Sequence, residues 1–224
     1  LLAIALYFHA VSGDQIWREK GWYSWMRWRD EGFGRHIYNS MGRGYLLCLF
    51  ILGVQQVLFL FADGMFHSFA VNDPSQALEN MRWPMLLPLM AWMAGISEEL
   101  TYRLFGIALF KKMFKLRFLA ILLPSLIWAM GHTGYAIYPS YTRLLEVAVL
   151  GIIFGYAFLK YGLYTAIFTH ITMDSILMGL SLAIQGRTDY TLTGLLYMAL
   201  PFLFAAATLY LHATLRKPRP AAQV

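Results

Sequence analysis

Six stretches of this chain, residues 44–62, 84–110, 118–132, 143–159, 163–185 and 191–215, run long with little or no charge. Runs of this kind read as membrane-spanning helices, because in a bilayer core only a helix or a closed barrel satisfies its own backbone. Composition agrees. Of the 224 residues 59% are hydrophobic and 13% charged, roughly half the charge of an ordinary soluble domain. The expected fold class is therefore all-α: a polytopic transmembrane helical bundle of about six full spans plus a partial N-terminal helix. Residues 1–11 are apolar but too few to span, and are expected to be the end of a span that begins upstream. The whole chain, 1–224, is expected to be one membrane domain. Its single cysteine, Cys48, excludes an internal disulfide and a multi-cysteine metal site.

The connecting segments carry the charge. Residues 12–43 interleave six Arg or Lys with aromatic residues such as Trp17, Trp22, Trp25 and Trp28. Basic and aromatic residues together can serve nucleic acid, but beside spans they form a segment lying against lipid headgroups, so no nucleic-acid partner is expected. If the spans alternate in direction, 12–43, 111–117, 160–162 and the tail share one side and hold fourteen basic residues. The other side holds three, Arg82, Arg143 and Arg187. The excess of positive charge makes the first side cytoplasmic.

Within the run 84–110 stands Ser97-Glu98-Glu99-Leu100-Thr101-Tyr102-Arg103. An ionised group at bilayer depth is costly and usually functional. On a helix Glu99 and Arg103 are four apart and share a face, with Glu N-terminal, the favourable order for an ion pair. Glu98 is turned about 100° from Glu99. One carboxylate is thus held by Arg103 and the other is left for chemistry. Two more polar sites interrupt apolar runs: Trp128-Ala129-Met130-Gly131-His132 and His170-Ile171-Thr172-Met173-Asp174. His170 and Asp174 again share a helical face. At about 1.5 Å per residue from the cytoplasmic ends, Glu98 lies roughly 18 Å deep, His132 roughly 21 Å, His170 roughly 11 Å and Asp174 roughly 17 Å. Three helices therefore carry imidazoles and carboxylates to mid-bilayer, where each would be unpartnered unless they meet. Glu98, Glu99, Arg103, His132, His170 and Asp174 are expected around one water-accessible cavity.

Glu-Glu-x-x-x-Arg, then aromatic-x-x-x-His, then His-x-x-x-Asp, in this order on successive apolar segments, resembles the CPBP family: the type II CAAX prenyl endopeptidases and their bacterial relatives linked to bacteriocin processing and self-immunity. The resemblance covers about residues 84–185. It implies a bundle of roughly eight transmembrane helices and a glutamate-dependent intramembrane protease. By the same resemblance Glu98 and His132 activate water, His170 and Asp174 stabilise the oxyanion, and Glu99–Arg103 is a supporting pair. Trp128 stands where the family commonly has Phe. Asp174 stands where the prenyl endopeptidases have Asn. An ionised carboxylate cannot donate a hydrogen bond, so either Asp174 is protonated in its apolar setting or, the reading preferred here, it orients His170 and leaves the donation to the imidazole.

The expected activity is hydrolysis of a peptide bond in a lipidated or membrane-associated peptide or protein, at the bacterial plasma membrane, with the bilayer itself as the other partner. No cofactor is expected. Two rivals stay open on the residues alone. Glu98, His132, His170 and Asp174 are a plausible ligand set for zinc or another divalent ion, which would make a metal-dependent membrane hydrolase. Alternatively the polar cluster holds together a membrane scaffold or immunity protein without catalysis.

Overall fold

The computed structural model describes residues 1–23, 25–71 and 77–215. The basic tail expected on the cytoplasmic side, residues 216–220, lies outside the described residues. Among the described residues the regular elements are helices, short 3₁₀ turns and a single two-residue β ladder. Helix α1 is Leu2–Arg18 and α2 is Phe33–Phe66. Helix α3 starts as Leu89–Glu98, passes into a π-helical stretch, Glu99–Gly106, and finishes as Ile107–Phe114. Helix α4 is Arg117–Met130, α5 Ser140–Tyr161, α6 Leu163–Ala183 and α7 Thr188–Leu215. The strands β1, Phe69–Ala70, and β2, Ile137–Tyr138, pair antiparallel with Phe69 opposite Tyr138. They tie together the loops that follow α2 and α4.

Four of these helices, α2, α5, α6 and α7, are long and apolar enough to cross a membrane, which marks an integral membrane protein. The sequence suggested six such spans, and the other two differ for identifiable reasons. The run 84–110 opens with prolines at 84 and 88, which lack the N–H a helix interior needs. Pro84–Leu86 is accordingly a 3₁₀ turn and α3 starts only at Leu89, before the π stretch interrupts it again. The run 118–132 stops being helical at Met130, leaving α4 with 14 residues. Within the polar stretch 12–43, α1 continues to Arg18 and α2 begins at Phe33.

Helix α6 is the centre of the bundle. Its apolar side chains cover the whole circumference, and a helix without a polar face belongs inside. Leu163, Ala166, Phe168, His170, Ile171, Met173 and Leu182 are all buried, and α6 packs against α2, α3 and α7. A single residue, Gly162, joins α5 to α6, with φ +86°. That conformation is natural to glycine and strained in residues with a Cβ. Gly95 matters in another way. A Cβ there would stand 2.6 Å from the Ile171 side chain and 3.0 Å from the Ile171 amide nitrogen. The bare backbone lets α3 settle on α6, so that the residues after Gly95 and those around Ile171 come face to face.

The N-terminal helix supports the other side of α3. Trp17 is 2% exposed, and its indole N–H donates to the Leu104 carbonyl, inside the π stretch, at 2.9 Å. Leu104, Ile107, Ile121 and Phe158 surround it. Replacing Trp17 by Phe keeps an aromatic ring but leaves the buried Leu104 carbonyl without that donor, at an expected cost of about 1–3 kcal/mol. Thermal unfolding in detergent measures this. An unchanged midpoint for Trp17→Phe would show that the indole hydrogen bond contributes nothing to holding the π stretch.

Candidate active site

The π stretch and the ends of its neighbours bring the charged residues together. Glu99 and Arg103 both lie in it, on the face of α3 that meets Trp128 of α4, Phe154 of α5 and His170 of α6. Glu99 is 0% and Arg103 2% exposed. Arg103 Nη1 stands 3.1 Å from Glu99 Oε1. This is an ion pair rather than an aligned hydrogen bond, and neither terminal nitrogen of Arg103 has a hydrogen-bond partner among the described residues. The guanidinium is covered instead by ring faces. Its carbon lies 4.3 Å from the centre of the Trp128 ring and 4.9 Å from that of Phe154, an arrangement in which the ring quadrupoles attract the cation.

The same Glu99 oxygen meets His170 Nδ1 at 2.8 Å. An ionised carboxylate only accepts, so the imidazole donates from Nδ1 and its Nε2 faces the opposite way. There Glu98 Oε2 lies 3.8 Å and Asp174 Oδ2 3.5 Å from Nε2. The orienting of His170 therefore falls to Glu99, on the protein side, while Asp174 shares the outward nitrogen with Glu98. Glu98 itself accepts a hydrogen bond at Oε2 from the Trp128 indole N–H. Trp128 thus caps the Arg103 cation with its face and holds the Glu98 carboxylate with its edge nitrogen.

His132 sits in the turn just beyond α4. There His132 Nδ1 donates to the Trp128 carbonyl at 2.8 Å, which the Gly131 amide also reaches at 3.1 Å. A carbonyl can only accept, so the proton is on Nδ1, and a neutral His132 carries its lone pair on Nε2. The ring packs edge-on against Trp128 at 4.9 Å and lies parallel to Tyr135 at 5.7 Å.

A cavity of about 600 Å³ opens on this group. Glu98, Trp128, His132, His170 and Asp174 line it, with Met90, Met173, Leu177 and Met178 as apolar walls. Glu98 and Asp174 remain partly accessible, their side chains 26% and 18% exposed. Glu99 and Arg103 do not reach it. They lie behind His170, so four of the six charged or imidazole residues expected around one cavity line it and two support it from within. The cavity also holds residues that the spacing of motifs did not single out. Arg143 and Gln55 line it, and both bond the Glu146 Oε1 at 2.7 Å. A signal was present, since Arg143 and Glu146 are two charges three apart at the head of an apolar run. Among the described residues no group of three or more His, Cys, Asp or Glu is arranged to hold a metal ion.

Taken together, the long apolar helices and a cavity lined by carboxylates and imidazoles describe an integral membrane protein with a polar site inside its bundle. The comparison with known families makes this specific. Residues 80–176 match the family described as type II CAAX prenyl endopeptidase Rce1-like. The chain thus carries a domain of the Rce1-like type II CAAX prenyl endopeptidase (CPBP) family, which is a family of proteases. The matched segment contains Glu98, Glu99, Arg103, Trp128, His132, His170 and Asp174. No curated protein and no solved structure matches the chain.

Proposed function

We propose that the protein is an intramembrane endopeptidase in which Glu98 and His132 activate a water molecule and His170 stabilises the oxyanion. The observation that carries this reading is the shared cavity: Glu98 on α3, His170 and Asp174 on α6, and His132 in the turn after α4 open on it, while the groups that fix their orientation lie behind. The Glu98 carboxylate, with one oxygen engaged by Trp128, has lone pairs left to take a proton from water. His132 presents an unprotonated Nε2 to the same space and shares that proton. The hydroxide adds to the scissile carbonyl. The developing oxyanion receives a hydrogen bond from His170 Nε2–H, whose direction is set by Glu99 at Nδ1, the kind of preorganised donor that acts most strongly where water is excluded. On collapse, the proton held by Glu98 passes to the departing amine.

The substrate is a lipidated or membrane-associated peptide or protein, since the cavity lies within the helical bundle. In the bilayer we place α3 and α4 as two further, irregular crossings. This makes six in all beside the N-terminal helix, with the basic segments and the tail on the cytoplasmic face of a bacterial plasma membrane. The reaction so described uses side chains and water and needs no metal. Purified protein is expected to cleave a lipidated peptide in EDTA as fast as without it, and His132→Ala to cleave it at least about 100-fold more slowly, the usual share of one acid–base partner. Loss of activity in EDTA with recovery on adding zinc would move the site to a divalent-metal hydrolase using the same residues. Full activity of His132→Ala would remove the histidine from the reaction.

A further inference from the structure

Helix α1 lies outside the residues 80–176 that carry the family match, yet it grips the π stretch of α3 at three successive turns. At its C-terminal end the Trp17 indole donates to the Leu104 carbonyl. One turn earlier, a Cβ on Gly13 would stand 2.9 Å from the Leu104 side chain and 3.1 Å from its carbonyl oxygen, so the two backbones meet with no side chain between them. One turn earlier again, His9 is hydrogen-bonded through Nδ1 to the Thr101 hydroxyl at 3.0 Å, and its ring lies parallel to Phe105 at 4.8 Å. His9, Gly13 and Trp17 are four apart and share one helical face. Other threonine hydroxyls in the bundle fall back on the carbonyl four residues earlier, as those of Thr165, Thr169 and Thr208 do. The Thr101 hydroxyl reaches across to another helix instead.

This grip bears on the phase of α3. A π turn takes one residue more than an α turn. If the stretch relaxed to α-helix, its two flanks would turn against each other by about 100°, the angle of one residue. The N-terminal flank is seated by Gly95 on Ile171, and the C-terminal flank by Ile107, buried with Ile121 and Phe158. One of the two would have to leave its seat. Glu98 is the last residue before the stretch and Glu99 the first within it, so their aim depends on that phase. The contacts of α1 with Thr101, Leu104 and Phe105 all fall inside the widened turn and are made in the phase that it sets.

We propose that α1 is a positioning element of the reaction and that His9, acting through Thr101, is a positioning residue: it holds the phase of the π stretch, and so the aim of Glu99 at His170 and of Glu98 at the cavity. The consequence for hydrolysis rests on the endopeptidase reading above.

His9→Phe keeps a ring on Phe105 and removes the hydrogen bond. Thr101→Val keeps the shape and removes the hydroxyl, and Thr101→Ser keeps the hydroxyl. Two quantities are measured on the purified full chain: hydrolysis of a lipidated peptide, and the NMR resonance of the His170 Nδ1 proton, identified by its absence in His170→Asn. His9→Phe and Thr101→Val are each expected to lower kcat about 2–10-fold, the worth of one neutral hydrogen bond, with KM within about twofold, and to shift the His170 signal in the same direction. The double variant should be no slower than either single one, because both remove the same bond, and Thr101→Ser should keep the parent's rate and signal. Tyr45→Phe is the control. It removes a hydrogen bond to the Met198 carbonyl, between α2 and α7, and should cost stability while leaving kcat and the His170 signal as in the parent. If His9→Phe does not fold, Thr101→Val carries the same two measurements. An unmoved His170 signal, or losses that multiply in the double variant, would overturn the proposal. So would an equal fall in kcat for Tyr45→Phe, which would make the effect one of general stability. Should the parent hydrolyse no peptide, the endopeptidase reading falls, and the His170 signal alone decides whether His9 holds the phase.

Discussion

Glu98→Gln is expected to fold, insert and bind a membrane peptide as the parent does, and to hydrolyse it about 10²–10⁴-fold more slowly, the range that general-base catalysis contributes. The expectation follows from what the side chain touches. Its Oε2 accepts from the Trp128 indole N–H, and an amide oxygen accepts equally well, so the link between α3 and α4 survives. The side chain is 26% exposed and borders the cavity, and when its charge is lost the buried His170 keeps Glu99 and Asp174 as anionic neighbours. What disappears is the ability to take a proton from water, because the amide nitrogen is a donor only. The fall should therefore appear in kcat with little change in KM. Because a scaffold or immunity role would not need proton acceptance, a Glu98→Gln protein that is inert as a protease yet intact in detergent separates catalysis from structure. Equal rates for parent and variant would end the glutamate-dependent mechanism.

How far the site is legible from sequence depends on how few explanations a residue admits. Charges inside apolar runs admit few, and the three segments bearing Glu98–Arg103, Trp128–His132 and His170–Asp174 stand out for that reason. Their i,i+4 spacings also carry the Glu99–Arg103 pair, which the structure holds at 3.1 Å. The π stretch is another matter. Over the eight residues Glu99–Gly106, a helix of slightly wider turn leaves almost the same pattern of polar and apolar positions, so no periodicity announces it. The contact of Glu99 with His170 spans 71 residues of sequence, and that of Gln55 with Glu146 spans 91. Such pairs depend on which helices become neighbours, and neighbours are chosen by close approaches such as Gly95 on Ile171. The spacing of His170 and Asp174 makes their contact at Nε2, 3.5 Å, legible, whereas the 2.8 Å contact of Nδ1 with Glu99 is tertiary and is not. Arg143 opens the apolar run 143–159, whereas the helix α5 already begins at Ser140, so Arg143 stands on its first turn, at the cavity. The apolar runs themselves identified the class correctly. Their lengths overstated the number of long crossing helices, because prolines and a helix end inside two of them are locally decisive.

Arg103→Ala is expected to destabilise the protein by about 3–5 kcal/mol, the cost of leaving a buried charge without its partner, which corresponds to a fall in thermal midpoint on the order of 10 °C. Arg103 is among the largest side chains that are fully enclosed, and its charge is matched by Glu99 and by the faces of Trp128 and Phe154. Removing it leaves Glu99 buried with His170 as its one ionisable neighbour of opposite character, and leaves a space between two rings that packed on the guanidinium. Trp128 then loses one of the contacts that hold it, and with it the hydrogen bond that positions Glu98. Stability and activity should fall together in this variant, unlike Glu98→Gln, where only activity falls. Arg103→Lys retains charge but not the flat fork that lies between the rings, and should recover part of the stability. Combining Arg103→Ala with Glu99→Gln removes the unpaired carboxylate and should recover part of it by a different route, while the protein stays slow because His170 has lost its anionic anchor at Nδ1. Thermal unfolding in detergent, followed alongside hydrolysis, tests all three. A normal midpoint for Arg103→Ala would show that the pair is reached by water and contributes little, and would leave the orientation of His170 without its physical explanation.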